Sequence, residues 1–368
     1  MFEILKLNKI SPVINCLFDG KYALCDACEN PDGIIVRSFN MAEYAIGNKL
    51  LAVARAGAGV NNIPLDRMTE KGVVVFNTPG ANANAVKELT ICSMLLASRD
   101  IIGGNKWVNT LTSDVEKATE KGKASFGGCE ITGKTLGVIG LGAIGILVAN
   151  ACVALGMKVI GFDACLTEEN KAKLSPEVKI ADLDEVIAGS DILTLHVPLT
   201  DTTKNMINAA ALEKMKKGVI IINMSRAQLV NAADLKKALS DGKAAKYVVD
   251  FPTEDVLNTE NIIVIPHLGA STEEAEDNCA VMAAKQLTDY IENGNIVNSV
   301  NFPCLAKEWT KKYRTCILFK EGCETIGKIK ADGKTAVKRG LGYAVFDSDE
   351  EIEIPECDAI IKVRKLSK

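Results

Sequence analysis

The chain holds only two histidines, and each sits just past the end of an apolar run. His267 lies in Ile265-Pro-His267-Leu-Gly269-Ala270-Ser-Thr272, and His196 in Leu195-His196-Val197-Pro198-Leu199. An imidazole changes charge near neutrality, so a histidine at the end of a strand is suited to taking or giving a proton. Arg226, in Asn223-Met224-Ser225-Arg226, occupies a similar place, and its planar fork can hold a carboxylate through two hydrogen bonds. Glu254, in Asp250-Phe-Pro-Thr-Glu254, offers a carboxylate that would favour the imidazolium form beside a histidine. Asp255 adjoins it, and spacing alone selects between the two. A base, a carboxylate holder and a tuning acid are the groups that hydride removal from a 2-hydroxy acid demands. Of the two histidines, His267 is the expected base, and His196 is expected to line the adenosine or ribose side of a cofactor.

A cofactor motif accompanies them. Gly140-Leu-Gly142-Ala143-Ile144-Gly145 follows the strand-like Leu136-Gly-Val-Ile139 and opens the apolar, helix-like Ile146–Leu155. Asp163 ends the next apolar run, eighteen residues beyond Gly145. Strand, glycine turn, helix and strand-end acid form the dinucleotide fingerprint. Gly140 would allow the tight turn, Gly142 the approach of a pyrophosphate and Gly145 close helix packing, with the helix N-terminus facing the phosphates. Asp163 would accept hydrogen bonds from a ribose and repel a 2′-phosphate. Ala164-Cys165-Leu166 supplies no arginine, so NAD is expected rather than NADP.

The elements needed to bring these residues together are legible as alternating short apolar runs and longer amphipathic ones, the pattern of an α/β chain. Early strands are expected at 33–37, 51–55 and 73–76, with Met1–Leu7 alternating like another, and a helix at 84–98. A sheet of six strands is expected from 135–139, 158–162, 192–196, 218–223, 245–250 and 262–265, and a long helix from 273 to 293. The expected architecture is two doubly wound parallel-sheet domains and a small appendage. Residues 1–98 and 273–300 would form a discontinuous flavodoxin-like substrate domain, 99–272 an inserted NAD-binding Rossmann domain, and 301–368 a β-rich tail.

Composition narrows the function class. The formal charge of −4 is spread without blocks, which argues against a nucleic-acid or anionic-membrane partner. The longest apolar stretch, Val138–Phe162, is broken by glycines where turns would fall, so it is expected as strand, helix and strand rather than a membrane span. The opening segment lacks a basic-then-apolar leader, and the twelve cysteines form no disulfide framework; a cytoplasmic, reduced protein is expected. Cys25-Asp-Ala-Cys28 is the one motif-like pair, and without a second pair or nearby histidines it is expected to be incidental. No metal site is expected.

The motifs, taken in order, resemble the D-isomer-specific 2-hydroxyacid dehydrogenase family, most of all the branch that oxidises D-3-phosphoglycerate. The resemblance rests on Val36-Arg37-Ser38, Ala54–Asn62, Phe76-Asn-Thr-Pro79 with Asn82, the glycine fingerprint, Leu195–Thr200, Ile222–Arg226 and Pro266–Thr272. It extends from the N-terminus to about Pro303. It implies Arg226, Glu254 and His267 as the catalytic set and Asp250 near the nicotinamide carboxamide. Ala58, Ala143, Ile144, Val197, Pro198, Met224, Ser225, Gly269 and Ala270 would join the cofactor site, and Arg37, Ser38 and Asn82 would face the substrate, with Arg37 on a phosphate. The implied reaction is NAD-dependent oxidation of D-3-phosphoglycerate to 3-phosphohydroxypyruvate, the first step towards serine, in a homodimer or higher homo-oligomer. A glyoxylate or hydroxypyruvate reductase is the alternative within the family, and a non-catalytic NAD-sensing, corepressor-like protein the alternative outside it. The sequence departs from the family pattern in places. Asp250 runs directly into Phe251, Asp255 stands where proline is common, the loop from Glu254 to His267 is compact, and Ala227 and Asn231 replace a glycine and an aspartate. The tail resembles a shortened ACT-type domain lacking one helix.

Overall fold

The computed structural model describes residues 1–368, which divide into two compact units. One comprises Met1–Asn82 and Glu273–Lys368, the other Ala83–Thr272.

The first unit carries five parallel strands: β1 (Phe2–Leu7), β2 (Tyr22–Cys25), β3 (Gly33–Val36), β4 (Ala52–Arg55) and β5 (Val74–Phe76). Their order, β2-β1-β3-β4-β5, is that of a flavodoxin-like sheet. The central strands are buried on both faces, which is why Ile34, Ile35, Val53 and Val75 read as continuous apolar runs rather than alternating ones. Helix Glu273–Asn293 lays Ala280, Ala283, Ala284 and Leu287 into the core beneath β3 and β4.

The second unit is built on seven parallel strands: β6 (Thr135–Ile139), β7 (Lys158–Phe162), β8 (Lys179–Ile180), β9 (Ile192–Leu195), β10 (Val219–Asn223), β11 (Ala244–Val249) and β12 (Ile262–Val264). They lie in the order β12-β11-β10-β9-β6-β7-β8, so the chain leaves β6 to one side and returns on the other at β9. That reversal is the switch point at which doubly wound sheets bind ligands. The apolar stretch 138–162 resolves into β6, helix Ala143–Ala154 and β7. No helix is long and apolar enough to cross a membrane.

One boundary differs from expectation. Helix Ala83–Ser98, read from sequence as part of the first lobe, belongs to the second unit. Its Val86, Met94 and Ala97 enter the core that holds Leu136, Val148 and Cys152, because its apolar face matches helix Ala143–Ala154.

The tail forms a four-stranded antiparallel sheet of β13 (Tyr313–Lys320), β14 (Asp332–Lys338), β15 (Leu341–Ser348) and β16 (Ile360–Ser367), ordered β14-β15-β13-β16. A short helix, Glu324–Lys328, links β13 to β14, but residues 349–359 between β15 and β16 form no helix. This is a βαββαβ plan with its second helix replaced by a loop, an ACT-like appendage. Cys316, Leu318, Tyr343 and Val345 of this sheet share a core with Tyr290 and Ile291 of the long helix. Arg314, fully buried, donates from Nε to Asp347 at 2.7 Å and from Nη1 to the Asn293 carbonyl at 2.8 Å.

Candidate active site

All pairings in the seven-stranded sheet are parallel, so the six loops that follow β6, β7, β9, β10, β11 and β12 leave the same edge. Read across the sheet, their residues fall in the order His267, Asp250, Arg226, His196, Gly140 and Asp163.

The glycine turn after β6 is shaped by close contact. Gly140 has φ +98°, and a Cβ there would meet the His196 carbonyl; one at Gly145 would overlap the Gly140 carbonyl oxygen. Gly142, which precedes the helix, faces open space instead. Its lack of a side chain therefore serves something that approaches the turn rather than the fold. Asp163 accepts from Leu141 N and Cys165 N, both at 2.7 Å, and its carboxylate is thereby held at the end of β7 next to the turn. At the neighbouring β9 terminus, His196 Nε2 pairs with Thr194 Oγ1 at 3.0 Å, while its buried Nδ1 has no partner. Burial pushes this imidazole down to about 4, so it is neutral at physiological pH. An open glycine, an anchored strand-end acid and an orphaned ring nitrogen along one rim fit a bound dinucleotide.

The residues expected to be catalytic lie at the other end of the rim. Asn223, fully buried at the end of β10, donates to the Arg226 carbonyl at 2.8 Å and to Tyr247 Oη at 3.1 Å, and accepts from Ser225 N at 3.1 Å. This fixes the loop and leaves the Arg226 side chain exposed. Its guanidinium lies 5.3 Å from the centre of the Phe251 ring. The imidazole of His267 packs on the same ring, with centroids 4.6 Å apart. Phe251 thus gathers the arginine and the histidine at one place.

Asp250 sets the histidine loop. It is 1 % exposed, and its two oxygens accept separately from Leu268 N at 2.7 Å and Gly269 N at 2.8 Å. Burial raises its carboxyl above the ordinary range, with these two hydrogen bonds acting in the opposite sense. His267 itself has φ +56°, in the left-handed region that is uncommon for residues other than glycine. Glu254 is exposed and makes neither a hydrogen bond nor an ion pair with His267. The structure therefore brings Arg226 and His267 together and leaves the expected third member apart.

Residues 91–269 match the family of the D-isomer specific 2-hydroxyacid dehydrogenase, NAD binding domain. A D-3-phosphoglycerate dehydrogenase of Methanocaldococcus jannaschii is 35 % identical over 310 residues, 82 % of this chain and 57 % of that protein. The human protein of the same description is 33 % identical over 315 residues, 83 % of this chain and 57 % of its own length. The chain belongs to the D-isomer-specific 2-hydroxyacid dehydrogenase family. It spans about half the length of the curated relatives it matches. Among solved structures, the NAD+-bound 3-phosphoglycerate dehydrogenase of Entamoeba histolytica is similar with a TM-score of 0.66 at 26 % identity, over 83 % of this chain and 99 % of that one. A glyoxylate reductase from Paecilomyes thermophila gives a TM-score of 0.65 at 25 % identity, over 81 % and 98 %.

In this dehydrogenase-family chain, Val197, Pro198, Met224, Ser225 and Ala270 lie on the same loops of the second unit as the residues above, and Ala143 and Ile144 open the helix after the glycine turn. Ser225 Oγ donates to the Leu195 carbonyl at 2.8 Å, tying the β10 loop to β9. In the first unit, Arg37 follows β3 and Nη1 pairs with Glu276 at 2.6 Å. Ser38 is exposed, Asn82 is half-buried, and the Ala58 carbonyl accepts from Asn77 Nδ2 at 2.7 Å. Sequence reasoning did not single out Phe251 or Asn223 for the site. A large aromatic residue directly after a strand-end aspartate was the available signal for the first.

Proposed function

We propose that this chain oxidises D-3-phosphoglycerate to 3-phosphohydroxypyruvate with NAD, as the first step of serine synthesis in the cytoplasm. The observation that carries the reading is that Arg226 and His267 both lie against the ring of Phe251, on the rim that holds the glycine turn. NAD, when bound, supplies the acceptor for the hydride that leaves C2. His267 takes the C2 hydroxyl proton as that carbon becomes a ketone, and Arg226 holds the carboxylate through its fork. Asp250 keeps the His267 backbone in place, and Glu254 is the acid proposed to pair with the imidazole when substrate is present. Arg37 is proposed to take the phosphate, with Ser38 and Asn82 on the remaining polar groups.

The test is turnover of NAD with D-3-phosphoglycerate, followed as NADH formation. His267→Asn should keep NAD binding and lower kcat by about 10²- to 10⁴-fold. Unaltered turnover in that variant would sink the assignment. One observation favours a second reading: Arg37 is already paired with Glu276, so a substrate without a phosphate needs no displacement of that pair. On that reading NADH would reduce glyoxylate or hydroxypyruvate faster than NAD oxidises D-3-phosphoglycerate. Tight NADH binding with no turnover of any 2-hydroxy acid would instead mark a sensor. Helices Ile101–Val108 and Val115–Gly122 bury none of their residues, and Ile101 and Val115 are exposed, which supports a homo-oligomer formed through this segment. Light scattering of the purified chain tests that part.

A further inference from the structure

We propose that Cys323 and Cys357 form a reversible dithiol–disulfide site in the appendage, oxidised by small disulfides that carry no negative charge. The two sulfurs lie 3.8 Å apart although 34 residues separate them in the chain. Cys323 is buried just before helix Glu324–Lys328, and Cys357 is part-exposed in the loop that replaces the missing helix. A disulfide needs sulfurs about 2.0 Å apart, a closure within reach of side-chain rotation. No three His, Cys, Asp or Glu side chains are grouped so as to hold a metal ion, so a metal does not account for the pair.

The two thiols are unequal in the way an exchanging pair requires. Hydrogen bonds from the Ala359 amide, the Thr325 hydroxyl and Cys323 hold the Cys357 thiol below its ordinary range and favour the thiolate. An open hollow beside it, lined by Ile354, Pro355, Glu356, Asp358, Ile360 and Val363, gives access to its sulfur. Cys25 and Cys28 contrast with this: burial first, then the neighbouring Cys28, pushes the Cys25 thiol up to about 11. The acids Glu356 and Asp358 flank Cys357 and would repel an anionic oxidant, so a neutral or cationic disulfide is selected. The Cys357 thiolate attacks one sulfur of the small disulfide, forming a mixed disulfide and expelling one small thiolate, which takes a proton. Cys323 loses its proton to solvent, its sulfur attacks Cys357 Sγ, and the second small thiolate leaves and is protonated. Two protein thiols and one disulfide thus become one protein disulfide and two small thiols.

The test uses the full reduced chain, incubated anaerobically with limiting cystamine, then alkylated, digested and analysed by mass spectrometry. The expected first product is the Cys323–Cys357 cross-linked peptide, formed at least about tenfold faster than modification of the other ten cysteines. Cys323→Ser should stop at a cysteamine adduct on Cys357, and Cys357→Ser should leave Cys323 unmodified. Glutathione disulfide, which is anionic, should react more slowly than cystamine. Preferential modification of Cys25, Cys92 or Cys129 would overturn the proposal, as would a wild-type adduct on Cys357 that never resolves. The unsubstituted chain alone decides the matter if a serine variant fails to fold, and no readout depends on turnover.

Discussion

Replacing Asp250 by asparagine separates a role in holding the His267 loop from a role in holding cofactor. The aspartate accepts from Leu268 N with one oxygen and from Gly269 N with the other. Asparagine retains one acceptor and turns an NH2 group towards the remaining amide, which is itself a donor. A hydrogen bond to a charged group is worth about 1.5–3 kcal/mol, and a stranded buried amide has a similar cost. Relief by a small loop shift would leave a net loss of about 2–3 kcal/mol, or about 30- to 150-fold in the population of the open loop. Hydrogen exchange at Leu268 or Gly269 should therefore accelerate by about that factor, and kcat/KM for the proposed reaction should fall by a comparable one. Exchange at both amides is read by fragmentation mass spectrometry or NMR, with NAD affinity measured in parallel. If NAD affinity collapses while both amides exchange at their original rates, the clamp is irrelevant and Asp250 acts on the cofactor alone.

The glycine turn gives a paired prediction. Gly145→Ala should destabilise the second unit by about 1–3 kcal/mol, because its methyl overlaps the Gly140 carbonyl, whereas Gly142→Ala should cost under about 1 kcal/mol yet weaken NAD binding. Thermal unfolding and NAD titration distinguish the two. His196 makes a pH prediction: its folded value of about 4 lies below its unfolded value, so the unfolded chain binds the extra proton. Stability should fall as pH drops from about 6.5 towards 4, by about 2–3 kcal/mol, and His196→Gln should flatten that slope in denaturant titrations. Asp347→Asn removes the partner of buried Arg314 and of Lys307, and should destabilise the appendage by about 3–5 kcal/mol, seen as faster exchange in β13 and β15.

How far the sequence reached depended on whether burial left a residue-type signature. Thr135–Ile139 and Lys158–Phe162 were legible to the residue because both are apolar runs ended by glycine or acid. β14 was not, since Asp332–Lys338 is an exposed edge strand that alternates nothing, its sheet membership set by pairing with β15. β8 has two exposed residues and no pattern to read. The helix at 83–98 was recognised, but its partner was not, because an apolar face does not say which core will receive it. In the site, the scarcity of histidines made His267 and His196 conspicuous. The bonds from Asp250 to Leu268 and Gly269 were illegible, since backbone amides look the same in every residue.

The site divides its labour by burial. Asn223 and Asp250 are buried, and they fix the two loops through backbone groups. Arg226, His267 and Glu254 are exposed at the rim. A carboxylate taken from water is costly unless its oxygens are fully engaged, and Asp250 meets that condition with two amides. Placing that cost on a buried loop anchor leaves the arginine and histidine exposed. Phe251 adds the last constraint, since a ring that touches both groups limits where each can move.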